Sequence, residues 1–363
     1  MQRKATEPRS RTIVEVGDVR IGRDPFPVIA GPCAIESEQQ LMAAAEAVAG
    51  AGASVLRGNA FKRGSSPYSF PGLGDDGLVM LERAGKEVGL PTVTQVLEPR
   101  DVPAVAERVD MIEIHSGSMQ NFELLREAGR AGKPVLLRRG PSATIDEWLW
   151  AAEYLLAEGN SQVVLVERGI RTFGSGAMLD ISSVPTLREM THLPILVDPS
   201  HASGGASRVP PLALAAQGVG ADGLIVEVHP EPSRAKTEGP VQLDPEQFSQ
   251  LMFRLGVNRM RSHIDLIDRE IVRLLARRLE LSLEIGREKA RRGLPVRAPE
   301  REQELLEVIR EEAVAQGLDP DHVSRLFELV LEESRRVQEE MRRGHEPLRS
   351  SRQANQSDKG PSS

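Results

Sequence analysis

The stretch PVLLRRG–PSATIDEWLW–AAEYLLAEGN–SQVVLVE, residues 134–167, sets an aliphatic run, a polar loop, an amphipathic helix and a second aliphatic run in direct succession. Pro134–Leu137 and Val163–Glu167 read as buried strands, and Ile145–Glu158 as the helix between them. A strand–helix–strand unit of this length places the two strands parallel. The pattern recurs outward from this unit. Further runs are Val28–Ala30, Ser54–Leu56, Thr92–Val96, Met111–Ile114, Pro194–Asp198 and Gly223–Glu227, with helices such as Ser37–Ala51 and Gln120–Ala131 between them. Eight βα units predict an α/β fold of the closed (β/α)8 barrel type, a TIM barrel, rather than an open sheet.

The chain has 363 residues. A barrel takes about 250 of them, which leaves room for one small second domain. After Pro245 glycine and proline thin out and helical periodicity takes over, with helices expected over 258–292, 299–316 and 320–343. The expected layout is therefore an N-terminal extension over 1–25, partly disordered and frayed over 1–11; a barrel over 26–250; an all-α three-helix domain over 256–343; and a disordered tail over 344–363.

The apolar fraction of 40% is enough for a packed core, and the net charge of −7 argues against a general nucleic-acid binder while leaving room for a local basic pocket. No apolar run approaches the roughly 18 residues that cross a bilayer, so no membrane partner is expected. The one cysteine, Cys33, excludes an intrachain disulfide, and a cytoplasmic setting is the simplest. Aromatic residues make up 3%, too few for a ligand bound chiefly by stacking.

Barrel active sites sit at the C-terminal ends of the strands. Reading past each run gives Cys33, Arg57 and Lys62, Gln95, His115, Arg138 and Arg139, Glu167 and Arg168, Asp198 and His201, and Glu227 and His229. Cys33, His201 and Glu227 offer a thiolate, an imidazole and a carboxylate, a mixture that suits a divalent Mn, Fe, Co or Zn ion better than calcium; Glu238 is a candidate fourth ligand. The alternative for Cys33 is a small buried apolar residue. Arg57, Lys62, Arg63, Arg138, Arg139, Arg168 and Arg171 imply an anionic, phosphorylated substrate, against the alternative of surface cations paired locally.

In the helical region, Met260, Ile264, Ile267, Ile271, Leu274, Leu281 and Ile285 form a seam with Arg278 and Lys289 on it. The last helix carries a stripe of Val323, Phe327, Val330, Val337 and Met341 interrupted by Ser334, with Gln338 a turn further on. Polar groups on both seams imply an internal cavity for a small anion; internal ion pairing or snorkelling is the alternative.

Gly31-Pro-Cys33, Arg57-Gly-Asn-Ala-Phe-Lys62, Ser66-Pro-Tyr-Ser-Phe70, Met119-Gln-Asn-Phe122, Lys133-Pro-Val-Leu-Leu137, Glu167-Arg-Gly-Ile-Arg-Thr-Phe173, Asp198-Pro-Ser-His201 and Glu227-Val-His-Pro230 resemble the type I beta class of 3-deoxy-D-arabino-heptulosonate 7-phosphate (DAHP) synthases over about residues 26–250. The resemblance implies condensation of phosphoenolpyruvate with erythrose 4-phosphate at a metal-bearing barrel. It implies Cys33, His201, Glu227 and Glu238 as metal ligands, Arg57, Lys62, Arg138 and Arg168 as phosphoenolpyruvate-binding residues, Lys62 also as catalytic, and Asp198 as the group orienting the aldehyde. The chain departs from the family pattern at Arg63-Gly64-Ser65, where the family has Pro-Arg-Thr. It departs also at Gln95 for a glutamate, at His115-Ser116-Gly117-Ser118 for Gly-Ala-Arg-Asn, at Arg138 for a lysine, at Glu238 for an aspartate, and in a shorter loop at Gly174–Met178.

Arg261, Asp265, Asp268, Arg278, Gly286, Lys289, Arg301-Glu302, Ser334 and Gln338 resemble the all-helical chorismate mutases over 256–341. This implies rearrangement of chorismate to prephenate without a cofactor, with Arg261, Arg278, Arg301 and Ser334 binding substrate, Lys289 and Gln338 donating to the ether oxygen, and Glu302 accepting from the ring hydroxyl. Ala298 stands where that family often has an aspartate. The resemblance also implies a homodimer or higher homo-oligomer in which Arg261 reaches the partner's site. Together the two resemblances imply a bifunctional shikimate-pathway enzyme whose barrel is inhibited by prephenate or chorismate bound to the helical domain. The alternative is an active mutase whose barrel is weak, altered in substrate, or a non-catalytic regulatory scaffold.

Overall fold

The computed structural model describes residues 3–7, 10–62, 66–173, 176–256 and 261–342, with only the backbone at 261–270 and 342. The expectations for Met260, Arg63, Gly64 and the tail 344–363 lie outside the described residues, as do those for the side chains of Arg261, Ile264, Asp265, Ile267 and Asp268. The chain divides into two compact units, residues 1–262 and 263–363.

In the first unit the eight expected runs form one closed parallel barrel: β1 (Val28–Gly31), β2 (Val55–Arg57), β3 (Thr92–Val96), β4 (Met111–Ile114), β5 (Val135–Arg138), β6 (Val163–Glu167), β7 (Ile195–Val197) and β8 (Leu224–Glu227), with β8 pairing β1 to close the ring. Helices α1 (Glu38–Gly50), α2 (Asp75–Val88), α3 (Val102–Arg108), α4 (Phe122–Arg130), α5 (Ile145–Ala157), α6 (Ser183–Met190), α7 (Pro199–Ser203), α8 (Val209–Gly218) and α9 (Pro245–Arg254) accompany them. Local signals start the helices where the sequence places them. Ser37 caps α1, Asn121 caps α4, and Thr144 with Glu147 forms a capping box ahead of α5.

Side chains alternate across each strand. Val28 and Ala30, or Val163 and Leu165, face the helices. Ile29, Val55, Val93, Met111, Leu136, Val164, Leu196 and Ile225 fill the barrel interior. The hairpin of Val14–Val16 and Val19–Ile21 joins that inner cluster through Val14, Val16 and Ile21.

Two boundaries differ from expectation. Residues 3–7 are not frayed: Ala5 is fully buried, the Lys4 and Ala5 amides donate to the Glu153 carboxylate, and the Thr191 hydroxyl donates to the Ala5 carbonyl. A polar composition hides one alanine that fits under α5. The barrel unit also runs past 250, because α9 buries Phe248, Leu251 and Met252 in its core.

The second unit holds α10 (Arg261–Arg291), α11 (Pro299–Ala315) and α12 (Pro320–Arg342), within a residue or three of the expected limits. No described helix is long and apolar enough to cross a membrane.

Candidate active site

Strand alternation also decides which polar residues enter the barrel. Two positions beyond six of the eight inward apolar residues stand Arg57, Gln95, Glu113, Arg138, Asp198 and Glu227; Gly31 and Val166 follow the other two. All six are essentially buried, so two guanidinium groups and three carboxylates form a charged floor above the apolar interior. Arg57 Nη1 donates to Glu227 Oε1 at 2.7 Å. Arg138 Nη2 donates to Glu113 Oε2 at 3.0 Å, and its Nη1 donates to Asp198 Oδ2. Burial works to raise the Glu113 carboxyl, but Arg138 and Arg57 outweigh it and hold it at about 2. Burial likewise opposes ionisation of Glu227, yet His201, Arg57 and Lys62 hold it at about 2. Gly31 is required on this floor, since at φ 145° a Cβ there would stand 2.1 Å from the Arg57 carbonyl oxygen.

Asp198 caps α7, accepting from the Ser200 amide at 3.0 Å and the His201 amide at 3.3 Å, and its other oxygen holds His201 Nδ1 at 2.8 Å. This aims His201 Nε2 toward Glu227 Oε1, 3.4 Å away. Lys62 Nζ lies 2.8 Å from Cys33 Sγ. Burial first, then the Glu227 carboxylate, push the Cys33 thiol up to about 12 against the pull of Lys62 and Arg57. Among the described residues no three His, Cys, Asp or Glu side chains stand together as a ready metal site. The donor set nevertheless fits a cation. Glu227 Oε2 is buried without a hydrogen-bond partner, beside a histidine whose Nδ1 is tied to a carboxylate, the arrangement that orients metal-ligating imidazoles.

Above the floor lies a cleft of about 620 Å³, lined by Lys62, His115, Ser116, Gly117, Arg168, Arg171, His201, Lys236 and Glu238 among others. The structure divides the sequence-selected cations into two classes. Arg57, Arg138 and Arg139 are buried and paired with carboxylates, Arg139 with Glu167 and Asp180, each at 2.8 Å; none of the three lines the cleft. Lys62, Arg168, Arg171 and Lys236 line it, and no ion pair to a carboxylate is found for any of them among the described residues. Arg168 donates to the Ser116 hydroxyl at 2.7 Å, and its Nε is buried without a partner. Sequence reasoning missed Glu113 and Lys236. Glu113 could have been found by counting two positions on from Met111 along the inward face of β4; Lys236 sits in an irregular loop and carries no such signal.

In the helical unit, Arg278, Ser334 and Gln338 come together between α10 and α12. Arg278 Nη1 donates to Ser334 Oγ at 2.7 Å, and Gln338 Nε2 donates to the Ser282 carbonyl at 2.8 Å. Burial alone lowers the Arg278 guanidinium from its ordinary value. Gly286 lets the two helices approach, because a Cβ there would stand 2.8 Å from Gln338 Cγ. Lys289 Nζ donates to the Val296 carbonyl at 2.7 Å, and Glu302 accepts from Arg335 at 2.8 Å. Arg301 stands apart, 78% exposed and paired with Glu304. Ser282 and Arg335 were not singled out from sequence; Ser282 lies one helical turn beyond Arg278 on the same face.

The comparisons with known proteins divide the chain the same way. Residues 5–259 match the family model described as DAHP synthetase I family, and residues 260–339 match chorismate mutase type II. The chain is 49% identical to a phospho-2-dehydro-3-deoxyheptonate aldolase of Thermotoga maritima over 66% of this chain and 72% of that protein. It is 35% identical to a 2-dehydro-3-deoxyphosphooctonate aldolase of Acidithiobacillus ferrooxidans over 60% and 83%. The crystal structure of the Thermotoga maritima DAHP synthase superposes with a TM-score of 0.66 at 48% identity, covering 68% of this chain and 73% of that one. With the barrel, its charged floor and the matched segments agreeing, the chain belongs to the DAHP synthetase I family and carries a chorismate mutase type II domain behind its barrel.

Proposed function

We propose that the barrel condenses phosphoenolpyruvate with erythrose 4-phosphate to DAHP and that the helical unit rearranges chorismate to prephenate, making the chain a bifunctional shikimate-pathway enzyme. The observation that carries the barrel reading is that Lys62, Arg168, Arg171 and Lys236, for which no ion pair is found among the described residues, line one cleft with His201 and Glu238. Charges so placed hold anions, and a phosphorylated pair of substrates supplies them. The family is generally metal-dependent. Cys33, His201, Glu227 and Glu238 would hold a divalent Mn, Fe, Co or Zn ion, which when bound supplies Lewis-acid polarisation of the aldehyde.

The chain's own residues do the rest. Lys62 and Arg168 bind phosphoenolpyruvate from the cleft wall. Arg57, whose Nε is buried without a partner, and Arg138 complete its site from the floor while keeping Glu227 and Asp198 ionised. Asp198 fixes the His201 ring and orients the aldehyde end. Held together, the enol carbon adds to the aldehyde carbon; water adds to the resulting oxocarbenium carbon, and phosphate leaves with the C–O bond. Full-length protein given phosphoenolpyruvate, erythrose 4-phosphate and Mn²⁺ is expected to consume enol absorbance. A metal-replete protein without turnover overturns the synthase reading in favour of a barrel that serves only as scaffold.

For the helical unit, Arg278, Lys289, Gln338, Ser334 and Glu302 are proposed to enclose chorismate with Arg301 and Arg261. A homodimer or higher homo-oligomer is proposed with it. Ile271, Leu274, Leu281 and Ile285 are each about half exposed, while Ala313 and Val337 are the described apolar side chains that this unit buries. A helix with that face in water is stable only when covered. The covalent joining of an early and a late catalyst supports feedback. Prephenate is expected to slow the barrel's steady-state rate several-fold; an unchanged rate on an active enzyme would sink that proposal. The proposed compartment is the cytoplasm.

A further inference from the structure

The turn that follows β4 does two jobs at the mouth of the barrel. Its Ser116 hydroxyl accepts from Arg168 Nη1 at 2.7 Å, and its Gly117 amide donates to His115 Nδ1 at 3.1 Å. A backbone N–H can only donate, so Nδ1 must accept, and in the neutral ring the proton sits on Nε2. His115 lines the same cleft as Lys62 and Arg168, and no hydrogen bond to Nε2 is found among the described residues. Gly117 is exposed, and a Cβ there would press to 3.3 Å from His115 Nδ1; the absence of a side chain leaves the ring room to lie over the turn. The neighbouring Arg168 Nε is buried without a hydrogen-bond partner. These two donors, one just past β4 and one just past β6, are tied to a single turn at a cleft lined by cations for which no ion pair is found among the described residues, a setting that suits an oxyanion.

We propose that His115 is a substrate-binding residue of the barrel, donating from Nε2 to an anionic oxygen of the substrate that Arg168 and Lys62 hold. The proposal rests on the synthase reading and deepens it by naming a contact that sets how tightly the anion is gripped. Burial first, then Arg168 and Arg138, push the imidazole down to about 3, so the ring serves as a neutral donor. It adds grip without adding charge to a cleft already rich in cations.

Calorimetric titration of the full-length protein with phosphoenolpyruvate tests this. His115→Ala is expected to weaken binding about ten-fold, the ordinary value of a hydrogen bond to a charged group. His115→Gln, which keeps a donor at similar reach, is expected to stay within about three-fold of the parent, and His115→Phe, which keeps the bulk without the donor, to match the alanine variant. Arg168→Ala serves as the reference for the pocket and is expected to lose about a hundred-fold. Parent-like affinity in His115→Ala alongside a weakened Arg168→Ala overturns the proposal and leaves the synthase reading standing. Equal loss in the glutamine and alanine variants also overturns it, assigning His115 a structural role. A parent protein that does not bind phosphoenolpyruvate overturns the synthase reading and this inference with it. Circular dichroism and thermal unfolding, read on the same samples, report whether the barrel of each variant is folded.

Discussion

His201→Ala is expected to lower DAHP formation by about a thousand-fold or more while leaving chorismate rearrangement unchanged. The imidazole is locked on one side by Asp198 and directed on the other toward Glu227. Its removal takes away both a metal donor and the ring that Asp198 holds beside Glu227. A Lewis acid at the aldehyde is worth several kcal/mol, which corresponds to at least that loss in rate. Metal content should fall in parallel, measured by competition against a chelator. Asp198→Asn, which leaves the ring in place but loosens its orientation, is expected to cost metal affinity about ten- to a hundred-fold. A His201→Ala protein that retains both its metal and its turnover would remove His201 from the ligand set.

The second large effect lies in the helical unit. Arg278→Ala and Lys289→Ala are each expected to reduce mutase kcat/KM by about a hundred- to a thousand-fold, the cost of deleting one preorganised donor from a closed site. Arg278 is half-buried, its contact found here is the neutral Ser334 hydroxyl, and burial alone shifts it. A guanidinium placed so is unfavourable until an anion arrives, and a substrate carboxylate satisfies it. Lys289, at the end of the same seam, is anchored by the Val296 carbonyl through one of its three donors. Steady-state assays should show DAHP synthesis in the absence of prephenate unaltered in both variants. Near-normal mutase turnover in both would refute the site.

Most of this architecture was legible beforehand because its signals are local. Eight aliphatic runs, the helical segments between them and a change from β to helical periodicity near Pro245 each depend on neighbours a few residues away. The barrel's polar floor was only partly legible. Cys33, His201 and Glu227 stand out by residue type, whereas Glu113 looks like any strand-end glutamate until the inward face of β4 is known. The docking of residues 3–7 was invisible, since it turns on one alanine meeting α5 about 150 positions away.

The sequence by itself determined the two-domain plan, the closed barrel and the residue types at its rim, because hydrophobic period and motif spacing are properties of short segments. Only the tertiary structure decided which cations are free. Arg57, Arg138 and Arg139 meet carboxylates brought from other strands and loops, whereas no ion pair is found for Lys62, Arg168, Arg171 or Lys236 among the described residues. That division depends on which strands become neighbours when the ring closes, and on the fixed two-residue alternation that turns each strand end inward or outward. A guanidinium's partner is a long-range fact, and a one-dimensional pattern carries the charge without its counter-ion.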